Sequence, residues 1–237
     1  VTIAEALKQA GYTTGHFGKW HLGSVNALSD VSPGASGFDE WFSSPNYFDL
    51  DPLMSNKGRV VRTHGEGSEV TAEAAIGFIR SCAHSQQPFL AVVWFGSPHN
   101  PHFALDKDRE LYADQPKAVQ NYYGEITAMD RSIGMLRDEL RRLSIEDNTL
   151  FWYTSDNGPQ GPLNRNPPGS SGGLRDRKGT LWEGGIRVPA IIEWPARISQ
   201  RRVTSVAANT IDIYPTLLDI VGVDVARQPK PLDGISI

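Results

Sequence analysis

Three short polar clusters carry side chains that could do chemistry together. Gly18-Lys19-Trp20-His21-Leu22-Gly23, Gly96-Ser97-Pro98-His99-Asn100-Pro101-His102 and Ser155-Asp156-Asn157-Gly158 each follow directly on a β-prone or apolar run. Arg175-Asp176-Arg177-Lys178-Gly179 and Glu183-Gly184-Gly185 precede another such run. Asp156 and Asn157 offer adjacent hard oxygen donors of the kind Ca²⁺ or Mg²⁺ takes, and no thiolate is at hand to favour a softer metal. Lys19 and Lys178 are compact cations suited to a tetrahedral oxyanion such as sulfate or phosphate. His21 and His99 can give or take a proton near neutral pH. Gathered in one place, these groups would serve transfer at a charged ester, where developing negative charge must be stabilised.

Each residue taken singly has a plainer reading. Ser155–Gly158 is a good strand-terminating turn, and His21, between Trp20 and Leu22, suits a core histidine. His99 and His102 lie beside prolines like ordinary loop residues, and single lysines are usually solvated. The functional reading rests on agreement among separate clusters. In an open α/β sheet, ligands bind beyond the carboxyl ends of the strands, and three clusters stand at that position.

The elements that must position them are legible as follows. Thr2-Ile3-Ala4-Glu5 is a capping box that opens a helix running to Ala10, with Gly11 at its C-terminal stop. Tyr12–Phe17 predicts a strand. Residues 24–67 are rich in Ser, Gly, Pro, Asn and Asp without a sustained period, and predict a long excursion with little regular structure. Val70, Ala74, Ile76, Phe78 and Ile79 predict a helix over 69–84, which Pro88 prevents from continuing. The unbroken apolar run Phe89–Phe95 predicts a parallel strand buried on both faces. Tyr122, Ile126, Met129, Ile133, Leu136, Leu140 and Leu143 mark one face of a long helix, expected to be core. Thr149–Thr154 and Val188–Trp194 predict further strands, separated by a Gly/Pro/Asn-rich loop at 158–173, and Ile211–Val221 predicts a last helix. This alternation predicts an α/β fold, a mostly parallel central sheet with helices on both faces.

Composition narrows the partners. The 237 residues carry 23 Lys and Arg against 27 Asp and Glu, a net charge of −4, which disfavours a nucleic-acid partner. The longest apolar run is far shorter than the roughly 20 residues of a membrane helix, so no membrane span is expected. Cys82 is the only cysteine, which excludes an internal disulfide, and within a helix it reads as a small buried apolar residue. The chain opens at Val1 straight into a helix, without an initiator Met or a signal peptide. It closes on a turn at Pro231–Ile235, and both ends read as cuts through a larger protein.

Gly11-Tyr12-Thr13-Thr14 with Gly18–Gly23 resembles the second signature of the type I, formylglycine-dependent sulfatases of the alkaline-phosphatase-like superfamily. Ser97–His102 resembles the His-x-Pro-His segment of that family, and Ser155–Gly158 resembles its Asp-Asn metal motif. Lys178–Pro189 resembles its Lys-Gly…Glu-Gly-Gly-x-Arg-x-Pro segment, and Pro231–Gly234 resembles the end of its large domain. The resemblance therefore spans essentially the whole chain. It implies an alkaline-phosphatase-like fold truncated at both ends, with residues 1–237 forming part of the catalytic large domain. The N-terminal segment bearing the nucleophile and the C-terminal small domain would lie outside.

The resemblance further implies roles. Asp156 and Asn157 would ligate a divalent cation, usually Ca²⁺, with Mg²⁺ as the alternative. Lys19 and Lys178 would hold sulfate oxygens, with Lys178 also near the leaving group. His99 would protonate the departing alcohol, and His21 would act on the nucleophile to release sulfate. His102 would contact substrate. Two family features are absent: the Cys/Ser-x-Pro/Ala-x-Arg motif that yields the formylglycine, and the Asp pair that completes the metal site. Cys82, followed by Ala83-His84-Ser85, does not fill that role. Asp176-Arg177 stands where many relatives have glycines.

The expectation is an exported sulfuric ester hydrolase, periplasmic or secreted, acting on a sulfated small molecule or glycan. This chain alone is expected to be inactive. A phosphomonoester or phosphodiester hydrolase of the same superfamily, or a non-catalytic remnant that binds sulfated glycans, are the alternatives.

Overall fold

The computed structural model describes residues 1–161, 168–224 and 231–237. The first part of the chain gives α1 (Ile3–Gln9), β1 (Thr13–Lys19), β2 (Glu40–Ser44), β3 (Leu53–Asn56), β4 (Arg59–Arg62), α2 (Gly67–His84) and β5 (Phe89–Trp94). After it come α3 (Asp106–Arg109), α4 (Lys117–Arg142), β6 (Phe151–Thr154), α5 (Glu183–Ile186), β7 (Ala190–Glu193) and α6 (Ile213–Val221). The capping box at α1 forms as its sequence dictates. Thr2 Oγ1 accepts the Glu5 amide at 3.1 Å, and Glu5 Oε2 accepts the Thr2 amide at 2.8 Å. Gly11, at φ 83°, then turns the chain into β1.

The central sheet has the order β4-β3-β2-β1-β5. β1 pairs parallel with β5, as expected from the strand–helix alternation, and also parallel with β2. β2, β3 and β4 are joined antiparallel, so the sheet is mixed. These three strands occupy the 24–67 segment, which corrects the expectation of an irregular excursion. They are too short, at four or five residues each, to show a period against the polar loops around them. One signal was present: Lys57-Gly58, both at positive φ (51° and 90°), is the two-residue hairpin turn between β3 and β4.

Helices cover both faces. On one, Phe17 packs with Ala72, Ile76, Phe78 and Ile79 of α2 and with Leu136 and Leu140 of α4. On the other, Ala4 of α1 packs with Trp20 and Phe38 against Leu90 and Val92, while Ala6 meets Leu218 of α6. Two ion-pair clusters bind α2 to α4. Arg80 reaches Glu139 at 2.7 Å, and Arg131 bridges Glu69 and the buried Asp108. Cys82 is buried in the main core, as its helical context suggested.

β6 and β7 depart from expectation. They form a separate antiparallel pair rather than joining the parallel sheet. β5 is accordingly an edge strand, and it and β6 are half-buried instead of covered on both faces, while β7 is largely exposed. A cavity of about 2380 Å³ is lined by both β5 and β6. It also accounts for the long-helix stripe: Leu136 and Leu140 are buried, but Tyr122, Met129 and Ile133 are only half-buried along the same cavity. Of the expected 158–173 loop, residues 162–167 lie outside the described residues. None of the described helices is long and apolar enough to cross a membrane.

Candidate active site

Lys19 is the last residue of β1 and is half-buried at the cavity. Its position depends on Gly18, at φ 98°, where a Cβ would fall 2.0 Å from the Trp94 carbonyl oxygen. The chain then leaves the sheet along β2: the Trp20 amide donates to Ser44 at 2.8 Å and the His21 amide to Pro45 at 3.1 Å. Trp20 is the anchor, buried with its indole N–H on the Val31 carbonyl at 2.8 Å. His21 is exposed at φ 53°. It is therefore not the core histidine that its apolar neighbours suggested. The fully buried histidine is His16, whose burial pushes its pKa down to about 3.

The His99 segment leaves β5 through Gly96, where a Cβ would meet the Phe48 carbonyl oxygen at 2.4 Å. His99 Nδ1 lies 2.7 Å from the Asn100 carbonyl, so it is the protonated nitrogen, and Nε2 is left as the one that can exchange a proton. The Tyr47 ring stacks on the imidazole with centroids 4.5 Å apart and planes inclined by 15°. Further along, α4 anchors the segment: Glu125 accepts the Phe103 amide at 2.5 Å and Asn121 the Ala104 amide at 3.3 Å. His102 sets its ring edge-to-face on Tyr122 at 5.0 Å, with Nε2 buried and unpartnered among the described residues.

Asp156 and Asn157 follow β6, and the Lys178 loop lies against the turn after them because three glycines let backbones touch. A Cβ on Gly158 would lie 1.9 Å from the Gly184 carbonyl oxygen. One on Gly184 would lie 2.0 Å from that of Asp176, and one on Gly185 2.4 Å from that of Thr180. The Gly158 amide donates to Gly185 at 2.9 Å, and the Lys178 amide to Pro159 at 3.0 Å. Asp176 sits at φ 68°, in the left-handed region that glycine prefers and aspartate tolerates. Arg177 ties this loop down through the carbonyls of Gln160 and Gly169, at 3.0 and 2.7 Å.

Lys19, His21, His99, His102, Asp156, Asn157 and Lys178 all line the one cavity. Four of them act on one another electrostatically. Partial burial pushes the Lys19 ammonium down from the usual lysine range; Asp156 opposes that shift and Lys178 adds to it. Burial likewise lowers His99, against the pull of the Asn100 carbonyl, and the two lysines depress it further while Asp156 opposes them. His102 is lowered by burial, with the Pro98 carbonyl working against it. The described residues contain no group of three or more His, Cys, Asp or Glu able to hold a metal. Asp156 and Asn157 fit a hard cation in kind but supply only part of the roughly six to eight oxygens that calcium takes. Tyr47 and Glu125 carried no sequence signal. Tyr47 lies in the polar 24–67 stretch, and Glu125 interrupts no pattern on α4.

A family model described as Sulfatase matches residues 1–223. This chain belongs to the sulfatase family. Among curated relatives, the sulfatase is 30% identical to N-acetylgalactosamine-6-sulfatase of Canis lupus familiaris, over 99% of this chain and 47% of that protein. It is 31% identical to the ulvan-active sulfatase of Formosa agariphila, over 98% of this chain and 48% of that one. The chain thus spans about half the length of the curated relatives it matches. In structure it resembles Ps i-CgsB, solved with k-i-k-neocarrahexaose, at a TM-score of 0.84 and 25% identity over 98% of this chain and 55% of the other. A Vibrio parahaemolyticus protein of the alkaline phosphatase superfamily matches at a TM-score of 0.59 and 23% identity, covering 95% and 48%. This last likeness supports the fold alone.

Proposed function

We propose that the full-length protein carrying this sulfatase chain is an exported sulfuric ester hydrolase that removes sulfate from carbohydrates by a covalent mechanism. The observation that carries this reading is the meeting of Lys19, Lys178, His99 and Asp156 at one cavity, on elements far apart in sequence. The relatives named for sulfated sugars, and the neighbour solved with an oligosaccharide, support the substrate class.

Lys19 and Lys178 are assigned to the sulfate oxygens, Lys178 on the leaving-group side. His99 is assigned the departing alcohol. Its depressed proton affinity makes it a ready donor, and a bound sulfate ester would offset part of the lysine field that depresses it. His21 is assigned the step that frees sulfate from the nucleophile, and His102 a contact to the substrate. Asp156 and Asn157 are this chain's share of a calcium shell, with magnesium as the alternative. When present, a formylglycine would supply the nucleophilic oxygen and the cation would offset sulfate charge. We assign the formylglycine and the remaining ligands of the cation to a segment preceding Val1, seated in the cleft lined by β5 and β6, with a small domain following Ile237.

Turnover of 4-nitrophenyl sulfate and 4-nitrophenyl phosphate by the full-length protein tests this. Sulfate is expected to be preferred. Lys178→Ala should cost at least about a hundredfold in kcat/KM, given what a charged stabiliser contributes to a transition state. The 237-residue chain alone should give no turnover. Preference for the phosphate would make it a phosphoester hydrolase, and binding of sulfated glycan without turnover a binding remnant.

A further inference from the structure

Tyr47 is placed by construction beside His99. Its neighbour Phe48 is buried and gripped on two sides by residues without a Cβ. A Cβ on Gly67, at the start of α2, would collide with the Asp49 carbonyl oxygen at 2.5 Å and the Phe48 ring at 2.8 Å, and one on Gly96 with the Phe48 carbonyl oxygen at 2.4 Å. The bridge between Leu50 and Glu66 closes the same segment one step later. The Tyr47 ring therefore lies on a held backbone, stacked on the imidazole at 4.5 Å and 15°.

The hydrogen bond from His99 Nδ1 to the Asn100 carbonyl chooses the tautomer, but a single bond leaves the ring free to tilt about its axis. A parallel ring at stacking distance removes that freedom. An aromatic face also favours the imidazolium, against Lys19 and Lys178, which disfavour it, with Asp156 on the favourable side. His102 is the other titrating group near His99 on its own segment.

We propose that Tyr47 is a positioning residue for His99, holding Nε2 toward the leaving oxygen of the ester; this rests on the sulfatase reading above. In the step it serves, the S–O bond to the alcohol breaks and its electron pair stays on that oxygen. The proton on His99 Nε2 passes to the same oxygen, and the sulfuryl group passes to an oxygen nucleophile. Esters whose alcohol is a good leaving group need that proton little; alkyl and sugar sulfates need it fully.

Tyr47→Leu and Tyr47→Phe in the full-length protein test the proposal, with 4-nitrophenyl sulfate and a sugar 6-sulfate as substrates. Tyr47→Leu should lower kcat/KM on the sugar sulfate by about tenfold or more, a part of the roughly 10²–10⁴-fold that a well-placed general acid supplies. It should change the 4-nitrophenyl rate by less than about threefold, and Tyr47→Phe should restore the sugar sulfate rate. Independently of turnover, ¹⁵N spectra of His99 should show one tautomer, protonated at Nδ1, in the parent and in Tyr47→Phe. In Tyr47→Leu they should show a mixture, with a lower imidazole pKa. Equal losses on both esters, or an unchanged His99 spectrum in Tyr47→Leu, would overturn the proposal. A parent protein inactive on every sulfate ester would overturn the sulfatase reading instead, and the spectra would still decide the Tyr47–His99 pairing. Should Tyr47→Leu fail to fold, Tyr47→Gln takes its place in the same measurements.

Discussion

Glu125 has one oxygen on the Phe103 amide and the other buried without a partner among the described residues. Burial pushes its pKa up to about 8, with Asp49 and Glu66 adding and the Phe103 amide opposing. In the unfolded chain the same group titrates near ~4.3. Below that pH both states hold the proton and Glu125 contributes nothing. From there up to about 8 the folded state keeps a proton that the unfolded state has lost, so stability falls as pH rises. Glu125→Gln, which keeps the carbonyl acceptor, should therefore raise Tm at pH 7–8 and change it little near pH 4. An equal change at both pH values would contradict this account. Glu139 carries the opposite sign, because Arg80 and Arg142 hold its carboxyl down to about 2. Its contribution is present above ~4.3 and is lost as pH falls toward the folded value. Glu139→Gln should lower Tm at pH 7, and that effect should shrink below about pH 4 and vanish only as the pH falls through about 2 in a thermal scan. Lys19, His99 and Asp156 were legible because each stands at or just after the end of a strand, and Lys178 because it belongs to a charged cluster in the segment leading to β7. Neither Tyr47 nor Glu125 was, since their roles come from His99 and from the Phe103 amide, both distant in sequence.

Backbone contact, more than side-chain packing, brings the loops of the site together. Gly184 and Gly185 open α5 to the carbonyls of Asp176, Arg177 and Thr180, and the Lys178 loop rests on them. Gly184→Ala places a Cβ 2.0 Å from the Asp176 carbonyl oxygen, so the loop must move. It should lower Tm and abolish most turnover in the full-length protein. Gly77, exposed inside α2 with nothing near its missing Cβ, is the contrast. Gly77→Ala should stabilise by about 0.5–1 kcal/mol and leave turnover unchanged. Calorimetry on both variants separates close backbone approach from helix propensity. The Glu-Gly-Gly run was visible as a polar cluster in the sequence. That it is a point of backbone contact follows only once the 156–159 and 175–180 segments lie against it.

Across the whole chain, the five-stranded sheet stops at β5 and the β6–β7 pair stands apart, with the cavity of about 2380 Å³ lined by both. Half-buried apolar strands flanking such a space are surface that water meets poorly. The 237-residue chain should therefore bind the dye ANS, and the full-length protein should bind far less, as read by fluorescence at equal concentration. Absence of dye binding by the chain would mean that the cleft closes by itself. The sequence alone determined the helices α1, α2, α4 and α6, the strands β1 and β5 of an α/β fold, and the identity of the polar clusters. Capping, amphipathic spacing and apolar runs are local, and local order decides them. Only the tertiary structure decided the strands β2, β3 and β4 and their antiparallel pairing, the edge position of β5, the meeting of Lys19, His99, Asp156 and Lys178, and the ring on His99. Each of these depends on which distant residues become neighbours, and burial and charge act on a group only after that choice is made.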